Sequence, residues 1–304
     1  METQLVLEKW PGVISTITIG AENEVKIGGE NTLPLLFPEG NIPNKPRIAF
    51  EISDIPPLDW PDELINVYGQ SVLNDPFAWA DKCVNQYQAQ LLCLKMSGAH
   101  PDLGDKTASE AAKFVATLLS RIKVPLIIIG SGDDVKDNLI MPACSEAAKQ
   151  KHCLIGCAVQ NNYKTLVASV LADGHNLIAE SPIDINIAKQ LNILISDMGL
   201  SLERIVMNPT IGALGYGLEY AYSIMERARL AALAGDKALA MPFICFVGQE
   251  AWRTKEAKIS SQQGIIWETI TATSLIQSGA DLLVMRHPEA AAKVSKYIET
   301  LFKK

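Results

Sequence analysis

The sequence has no C-x-x-C pair, no basic excess, few histidines and no apolar run long enough to cross a bilayer. Each absence excludes a class of function. Six cysteines are present, Cys83, Cys93, Cys144, Cys153, Cys157 and Cys245, and the closest two fall in one strand-like run. Extended chain places the sulfurs of Cys153 and Cys157 about 13 Å apart, too far to share one ion. Most of the others stand inside apolar stretches such as Leu91-Leu92-Cys93-Leu94, where a reduced cysteine acts as a small hydrophobe. The chain is therefore expected to hold no iron–sulfur cluster and no metal of its own. Lysine and arginine total 27 against 34 aspartate and glutamate, a net charge of -7, which argues against nucleic acid or an anionic membrane as partner. A bilayer crossing needs about 18 apolar residues in succession, and none is found. The opening Met1-Glu2-Thr3-Gln4 shows no basic stretch leading into an apolar one, so a cytoplasmic location is expected.

What is present is ample core material, with 48% hydrophobic and 20% charged residues, arranged in a repeat. From Arg47 onward, short apolar runs alternate with helix-forming segments. Strands are expected at 47–53, 90–96, 125–130, 153–159, 175–180, 204–208, 239–247 and 281–286. Leu126-Ile127-Ile128-Ile129 is apolar on both faces, as a parallel strand covered on both sides must be. Between strands lie runs such as Ser109–Arg121 and Tyr220–Ala234, rich in Ala, Leu, Glu and Arg. Helix starts read as capped at Asp75-Pro76 and at Ser181-Pro182. This arithmetic predicts an α/β fold, a (β/α)8 TIM barrel over 47–304, with a doubly wound open sheet as the alternative. Residues 1–46 read as an N-terminal extension. Val13–Ile19 and Val25–Ile27 make a β-hairpin about the turn Gly20–Asn23, outside the eight strands, and a Pro- and Gly-rich connector, Leu33–Pro46, reads as a lid or plug. The first βα loop, Ile55–Asn74, is long and aromatic, which predicts an ordered insertion on the top rim.

Barrels of this type build their sites at the carboxyl ends of the strands. In this chain those ends read Asp54, Met96-Ser97-Gly98, Gly130-Ser131-Gly132, Gln160-Asn161-Asn162, Glu180-Ser181, Asn208, Gly248-Gln249 and Arg286-His287. Amides, hydroxyls and glycines dominate, and carboxylates are few. Glu180 and His287 are the one pair that could share acid–base work, and each reads equally well as a hydrogen-bonded rim residue. Lys95, the strand-end lysine, falls one residue early for a Schiff base. The G-x-x-G-x-G of Gly212, Gly215 and Gly217 is not the dinucleotide order and suits close approach of a large planar ligand or a partner backbone. Gly130-Ser131-Gly132-Asp133 divides between a ligand loop and a plain turn whose aspartate caps a helix. Asp173-Gly174-His175 begins a cobalamin-type D-x-H pattern, but Ile178 stands where glycine is wanted, so it reads as a turn at the bottom of the barrel.

Three blocks carry a resemblance: Glu24-Val25-Lys26-Ile27-Gly28-Gly29-Glu30-Asn31-Thr32-Leu33-Pro34, Ile129-Gly130-Ser131-Gly132-Asp133 through Lys136-Asp137, and Asn208-Pro209-Thr210 with its glycine-rich continuation. Together they resemble the small subunit of the corrinoid iron–sulfur protein of acetyl-CoA synthesis, the delta-type subunit in methanogens. The likeness runs from about residue 5 to residue 300. It implies a TIM barrel that pairs with a large subunit bearing the iron–sulfur cluster and most of the corrinoid (cobalamin) site, and that helps enclose the cobalt at the subunit interface. It further implies methyl arriving through a methyltetrahydrofolate methyltransferase and leaving to acetyl-CoA synthase/CO dehydrogenase. On this reading the chain has no catalytic or metal-ligating residue, and Asn208, Gly212, Gly215, Gly217, Ser131 and Asn161 are the expected corrinoid contacts. The alternative function is a barrel that binds a methyl-pterin and transfers its methyl group directly, with Asn161, Asn162 and Asn208 on the pterin ring. An unrelated barrel lyase or aldolase is a further reading.

Overall fold

The structure, a computed structural model, describes residues 6–303; the opening Met1–Gln4 read above for a leader lies outside the described residues. A short antiparallel hairpin, β1 (Ile17–Ile19) and β2 (Val25–Ile27), comes first. Eight parallel strands follow: β3 (Arg47–Ser53), β4 (Leu92–Lys95), β5 (Leu126–Ile129), β6 (Leu154–Ala158), β7 (Asn176–Glu180), β8 (Ile205–Asn208), β9 (Phe243–Cys245) and β10 (Ala280–Met285). They pair in chain order, and β10 closes onto β3, so the sheet is a barrel and not an open one. Helices alternate with the strands: α1 (Asp62–Tyr68), α2 (Gln70–Leu73), α3 (Pro76–Asn85), α4 (Ala108–Arg121), α5 (Asp134–Ala147), α6 (Tyr163–Asp173), α7 (Ile185–Asp197), α8 (Leu218–Leu233), α9 (Val247–Ala251), α10 (Ser261–Gln277) and α11 (Pro288–Leu301). None is long and apolar enough to cross a membrane among the described residues.

Local chemistry sets the helix starts. Asp75 accepts from Phe77 and Ala78 N–H while Pro76 takes the first turn. Thr107 and Glu110 exchange hydrogen bonds in a capping box that starts α4. Two expectations shift. Ser181-Pro182 does not cap α7; Asp184 does, accepting from Asn186 and Ile187 N–H, because it stands directly before the first helical residue whereas Ser181 lies three residues further back. The strand expected at 239–247 shrinks to β9, since Pro242 has no N–H for the ladder and Val247 already opens α9.

Two apolar layers hold the barrel together. One lies between strands and helices. The other fills the interior with alternate strand residues, among them Ala49, Cys93, Ile127, Leu154, Val206 and Leu282. Ile17, Ile19 and Ile27 of the hairpin join the interior layer. Gly20 N–H donates to His152 O (2.8 Å), Ser15 N–H to Ala240 O (2.9 Å), and Asn176 Nδ2 to Thr18 O (2.8 Å), all at the amino ends of strands. The hairpin, and not the connector, is therefore the plug, and it seals the bottom of the barrel. Each isoleucine it buries contributes about 1.5–3 kcal/mol of transfer free energy. The connector instead runs along the outside, where Phe37 meets Phe302 edge-on at 5.4 Å. Its anchor is Glu30, paired with the buried Arg229 of α8 at 2.7 Å; Arg229 also holds Asp281 of β10 at 2.8 Å.

Asp173-Gly174-His175 is a bottom turn. Gly174 ends α6 in the left-handed conformation that glycine tolerates, and His175 accepts Cys153 N–H at Nδ1 (3.1 Å).

Candidate functional site: the carboxyl-end mouth

The bottom being sealed, the open end of the barrel is its carboxyl end. Inward positions one step above the apolar layer bring Glu51, Lys95, Glu180, Asn208 and Arg286 to this mouth. It holds more carboxylates than its sequence suggests, and each is tied to a partner. Arg286, about 1% exposed, donates from Nε (3.0 Å) and Nη2 (2.7 Å) to Glu51 Oε1, and its Nη1 faces Asp59 at 3.4 Å. Burial works to raise the Asp59 carboxyl, but the charges of Arg286 and Lys95 outweigh it and hold Asp59 below its ordinary value. The long first loop is ordered, as expected: Trp60 lies under the Arg286 guanidinium at 5.3 Å and edge-on to Trp79 at 5.0 Å, and Tyr68 donates its hydroxyl to Arg286 O at 2.5 Å.

Behind Arg286 sits Glu268 of α10, fully buried, and its sequence context gave no hint of this role. It accepts from Arg286 N–H (2.6 Å), His287 N–H (3.1 Å) and Trp252 Nε1 (2.8 Å). Burial pushes Glu268 up to about 7 against the pull of those three donors. Glu180 and His287 do not form a pair. Glu180 accepts from Asn208, whereas His287 caps α11 by accepting Glu289 N–H (3.1 Å) and stacks on Trp252 at 5.8 Å. Burial pushes His287 down to about 4, so it is neutral at physiological pH. Lys95 reaches Gln249 Oε1 at 3.4 Å. Asp54 accepts Gly98 N–H (2.8 Å) and pairs with Lys106 at 2.7 Å.

The residues expected to touch a ligand are distributed around this rim. Asn208 is buried and joins two strands, donating to Glu180 Oε2 at 2.7 Å and accepting Thr210 N–H at 3.1 Å. Asn161 is exposed and donates to Asp134 Oδ2 at 3.1 Å. Asn161 and Glu180 border one cavity of about 510 Å³, between the ends of β6–β8 and the start of α7; Ser131 and the glycine loop do not line it. Ser131 is held by Asp137, which takes its N–H and its hydroxyl, both at 2.7 Å, and Gly132 N–H at 3.1 Å. Burial raises the Asp137 carboxyl, with the Ser131 and Gly132 donors opposing. A Cβ on Gly130 would fall 2.1 Å from Asp137 Oδ2, so the loop needs glycine there. Asp133 caps α5, as the plain-turn reading expects. Asp137 belongs to the quoted sequence block but reads there only as a helix residue. Asp137→Ala should leave three donors unmet, lower stability by about 2–3 kcal/mol, and speed amide exchange at Ser131 and Gly132; unchanged exchange at both would contradict it.

The 212–217 loop folds back on itself. A Cβ on Gly212 would lie 2.3 Å from Tyr216 O, Trp267 Nε1 donates to Leu214 O (3.2 Å), and Gly217 precedes α8 at φ 97°. Gly215 faces open space, but its φ of 77° strains any side chain, so a bulky residue there would test backbone strain as much as ligand access.

Around the polar mouth stands an apolar ring. Leu58, Leu103, Ile183, Tyr216 and Ile259 come from five different βα connections and Val135 from the first turn of α5, and all are exposed, Val135 by 75% and Ile259 by 70%. On α5 and α7, Leu139 and Ile187 extend the ring.

As a class, the fold is a closed (β/α)8 barrel, and dihydropteroate synthases are among the solved structures whose fold it is similar to. The Xanthomonas albilineans dihydropteroate synthase bound to 4-aminobenzoic acid superposes with a TM-score of 0.62 at 12% identity, covering 86% of this chain and 95% of that one. A Coxiella burnetii dihydropteroate synthase in complex with pteroic acid gives 0.60 at 11% identity, covering 85% and 94%. At such identities the likeness is one of fold alone. The family is shown by sequence: residues 16–297 match the CO dehydrogenase/acetyl-CoA synthase delta subunit family, and the chain belongs to it. The acetyl-CoA decarbonylase/synthase complex subunit delta of Methanocaldococcus jannaschii is 35% identical over 97% of this chain and 76% of its own length. That of Methanothermobacter thermautotrophicus is 34% identical over 97% and 77%. The chain is thus a delta subunit of an acetyl-CoA decarbonylase/synthase complex by family, and partner subunits are implied.

Proposed function

We propose that this chain is the small subunit of a corrinoid iron–sulfur methyl carrier and takes no catalytic part of its own. Its barrel mouth forms one wall of the enclosure for a cobalt corrinoid held mainly by the large, cluster-bearing subunit. The observation that carries this reading is the mouth itself, in which polar groups are paired with one another and surrounded by exposed apolar side chains. An interface of this make-up has a rim that excludes water and a floor of polar groups held in fixed pairs. The donor set fits a large neutral-sided cofactor better than a metal: Asn161 and the 212–217 loop offer amide and backbone groups to a corrin edge, while Ser131 and Asn208, held by Asp137 and Glu180, shape the wall behind them. When bound, the corrinoid supplies the cobalt centre that accepts methyl from methyltetrahydrofolate, through a separate methyltransferase, and yields it to acetyl-CoA synthase. The chain's residues position and shield: Glu51, Asp59 and Trp60 fix Arg286, Asp137 fixes Ser131, and the apolar ring seats the partner.

Two substitutions on the ring test this. Val135→Glu with Ile187→Glu changes only exposed positions, so the thermal midpoint should stay near wild type. Docking to the large subunit should weaken by about 2–4 kcal/mol, read as lost co-purification and as exposed corrinoid absorbance. Native docking by the double variant would place the partner elsewhere. A methyl-pterin that binds the isolated chain tightly would favour the direct methyltransferase instead.

A further inference from the structure

We infer that the cavity over the ends of β6–β8 is a primary-amide pocket, in which Glu180 admits neutral carboxamide groups and turns carboxylates away. The inference rests on the corrinoid reading above and deepens it, because a corrin ring carries acetamide and propionamide side chains around its edge.

The lining supplies the argument. Two carboxylates, Asp134 and Glu180, face the cavity together with the amides Gln160 and Gln190, against an apolar wall of Leu191 and Leu194. No lysine, arginine or histidine lines it. A carboxylate entering this space would meet like charge with nothing to offset it. A primary amide presents two N–H donors and one acceptor, which matches a wall of carboxylates and side-chain amides. The protein already uses this pairing twice at the same place. Asn208 donates its Nδ2 to Glu180 Oε2 at 2.7 Å, and Asn161 donates its Nδ2 to Asp134 Oδ2 at 3.1 Å. A carboxylate has about four lone-pair sites, so each acid keeps acceptor capacity after its asparagine is served. At about 510 Å³ the cavity is large enough for a whole side chain of a planar ligand. The pocket opens on the same face as the apolar ring: Ile187 lines it and Ile183 stands beside its Pro182.

The test uses the full chain with its large subunit and two kinds of probe: dicyanocobinamide, all of whose peripheral side chains are amides, and its monocarboxylic acids, each with one amide hydrolysed. Wild type should retain the all-amide form at least about tenfold more tightly than one of the monocarboxylic isomers. Glu180→Gln keeps an oxygen to accept from Asn208 and removes the charge, so it should bring the two forms within about threefold of each other. Gln190→Glu, which adds charge to the same wall, should widen the gap. Equal retention of both forms by wild type, with the corrinoid still shielded by this chain, overturns the amide pocket and leaves the enclosing role standing. Tighter retention of an amine-bearing derivative than of the amide also overturns it, since the pocket would then select cations. If adding this chain changes neither retention nor shielding of any corrinoid, the enclosing role falls and the pocket assignment falls with it.

Discussion

Replacing Arg229 by methionine should destabilise the fold by about 3–5 kcal/mol at neutral pH, with a smaller loss in acid. Arg229 is about 1% exposed and carries two carboxylates, Glu30 at 2.7 Å and Asp281 at 2.8 Å. Methionine fills much of the same volume, so the loss is electrostatic: two buried acids remain, without their cation. In the wild type, burial pushes Glu30 up to about 7, with Arg229 pulling it down and Asp281 pushing it up. A carboxyl that ionises near 4.5 in the unfolded chain and near 7 in the fold binds more protons when folded between those values. Its contribution is therefore fully present below pH 4.5 and is lost as pH rises through 7. Without Arg229 both acids move up further, so denaturation midpoints of the variant should fall more steeply between pH 5 and pH 8 than those of wild type. Glu30→Gln, which cannot ionise, should flatten the wild-type slope over the same range. A pH-independent loss in Arg229→Met would mean that packing, and not charge, holds the connector to the barrel.

Glu268→Leu is expected to cost about 4 kcal/mol, because it strands three buried donors at about 1–3 kcal/mol each, less the gain from burying an apolar side chain. Those donors are Arg286 N–H, His287 N–H and Trp252 Nε1, at 2.6, 3.1 and 2.8 Å. The effect should reach the mouth. Arg286 leaves β10 at the point that Glu268 fixes, and its guanidinium fastens Glu51 and the Trp60 loop, so the variant should also bind the large subunit more weakly. Glu268→Gln presents an N–H where an acceptor is needed and should cost about 2 kcal/mol. Urea denaturation followed by tryptophan fluorescence measures both, since Trp252 loses its partner directly. A glutamine variant as stable as wild type would show that the three-donor cradle does not require a carboxylate.

The barrel is legible because its signals are local. Leu126–Ile129 reads as a buried strand from four consecutive apolar residues, and Thr107 with Glu110 starts α4 through contacts three residues apart. The mouth is different. Asn208 reads as a strand-end amide free for a ligand, yet its amide is committed to Glu180, 28 residues away. Glu268 reads as one polar position in a helix and is instead the acceptor beneath Arg286 and His287. Nothing within a few residues of either marks that role.

By itself the sequence determined the eight βα repeats, the hairpin outside them, the Asp75-Pro76 start of α3 and, through three blocks of residues, the family. These depend on periodicity, on capping chemistry and on which residues stand next to each other in the chain. Only the tertiary structure decided that the hairpin seals the bottom of the barrel, that Arg286 is spent on Glu51 and Asp59, and that a cavity lined by carboxylates, side-chain amides and apolar groups, and by no cation, opens at Glu180. Glu51 and Arg286 are 235 residues apart and meet only because β10 closes onto β3. Whether a buried acid is a free group or a tied one depends on what the fold carries to it, and local pattern holds no record of that distance.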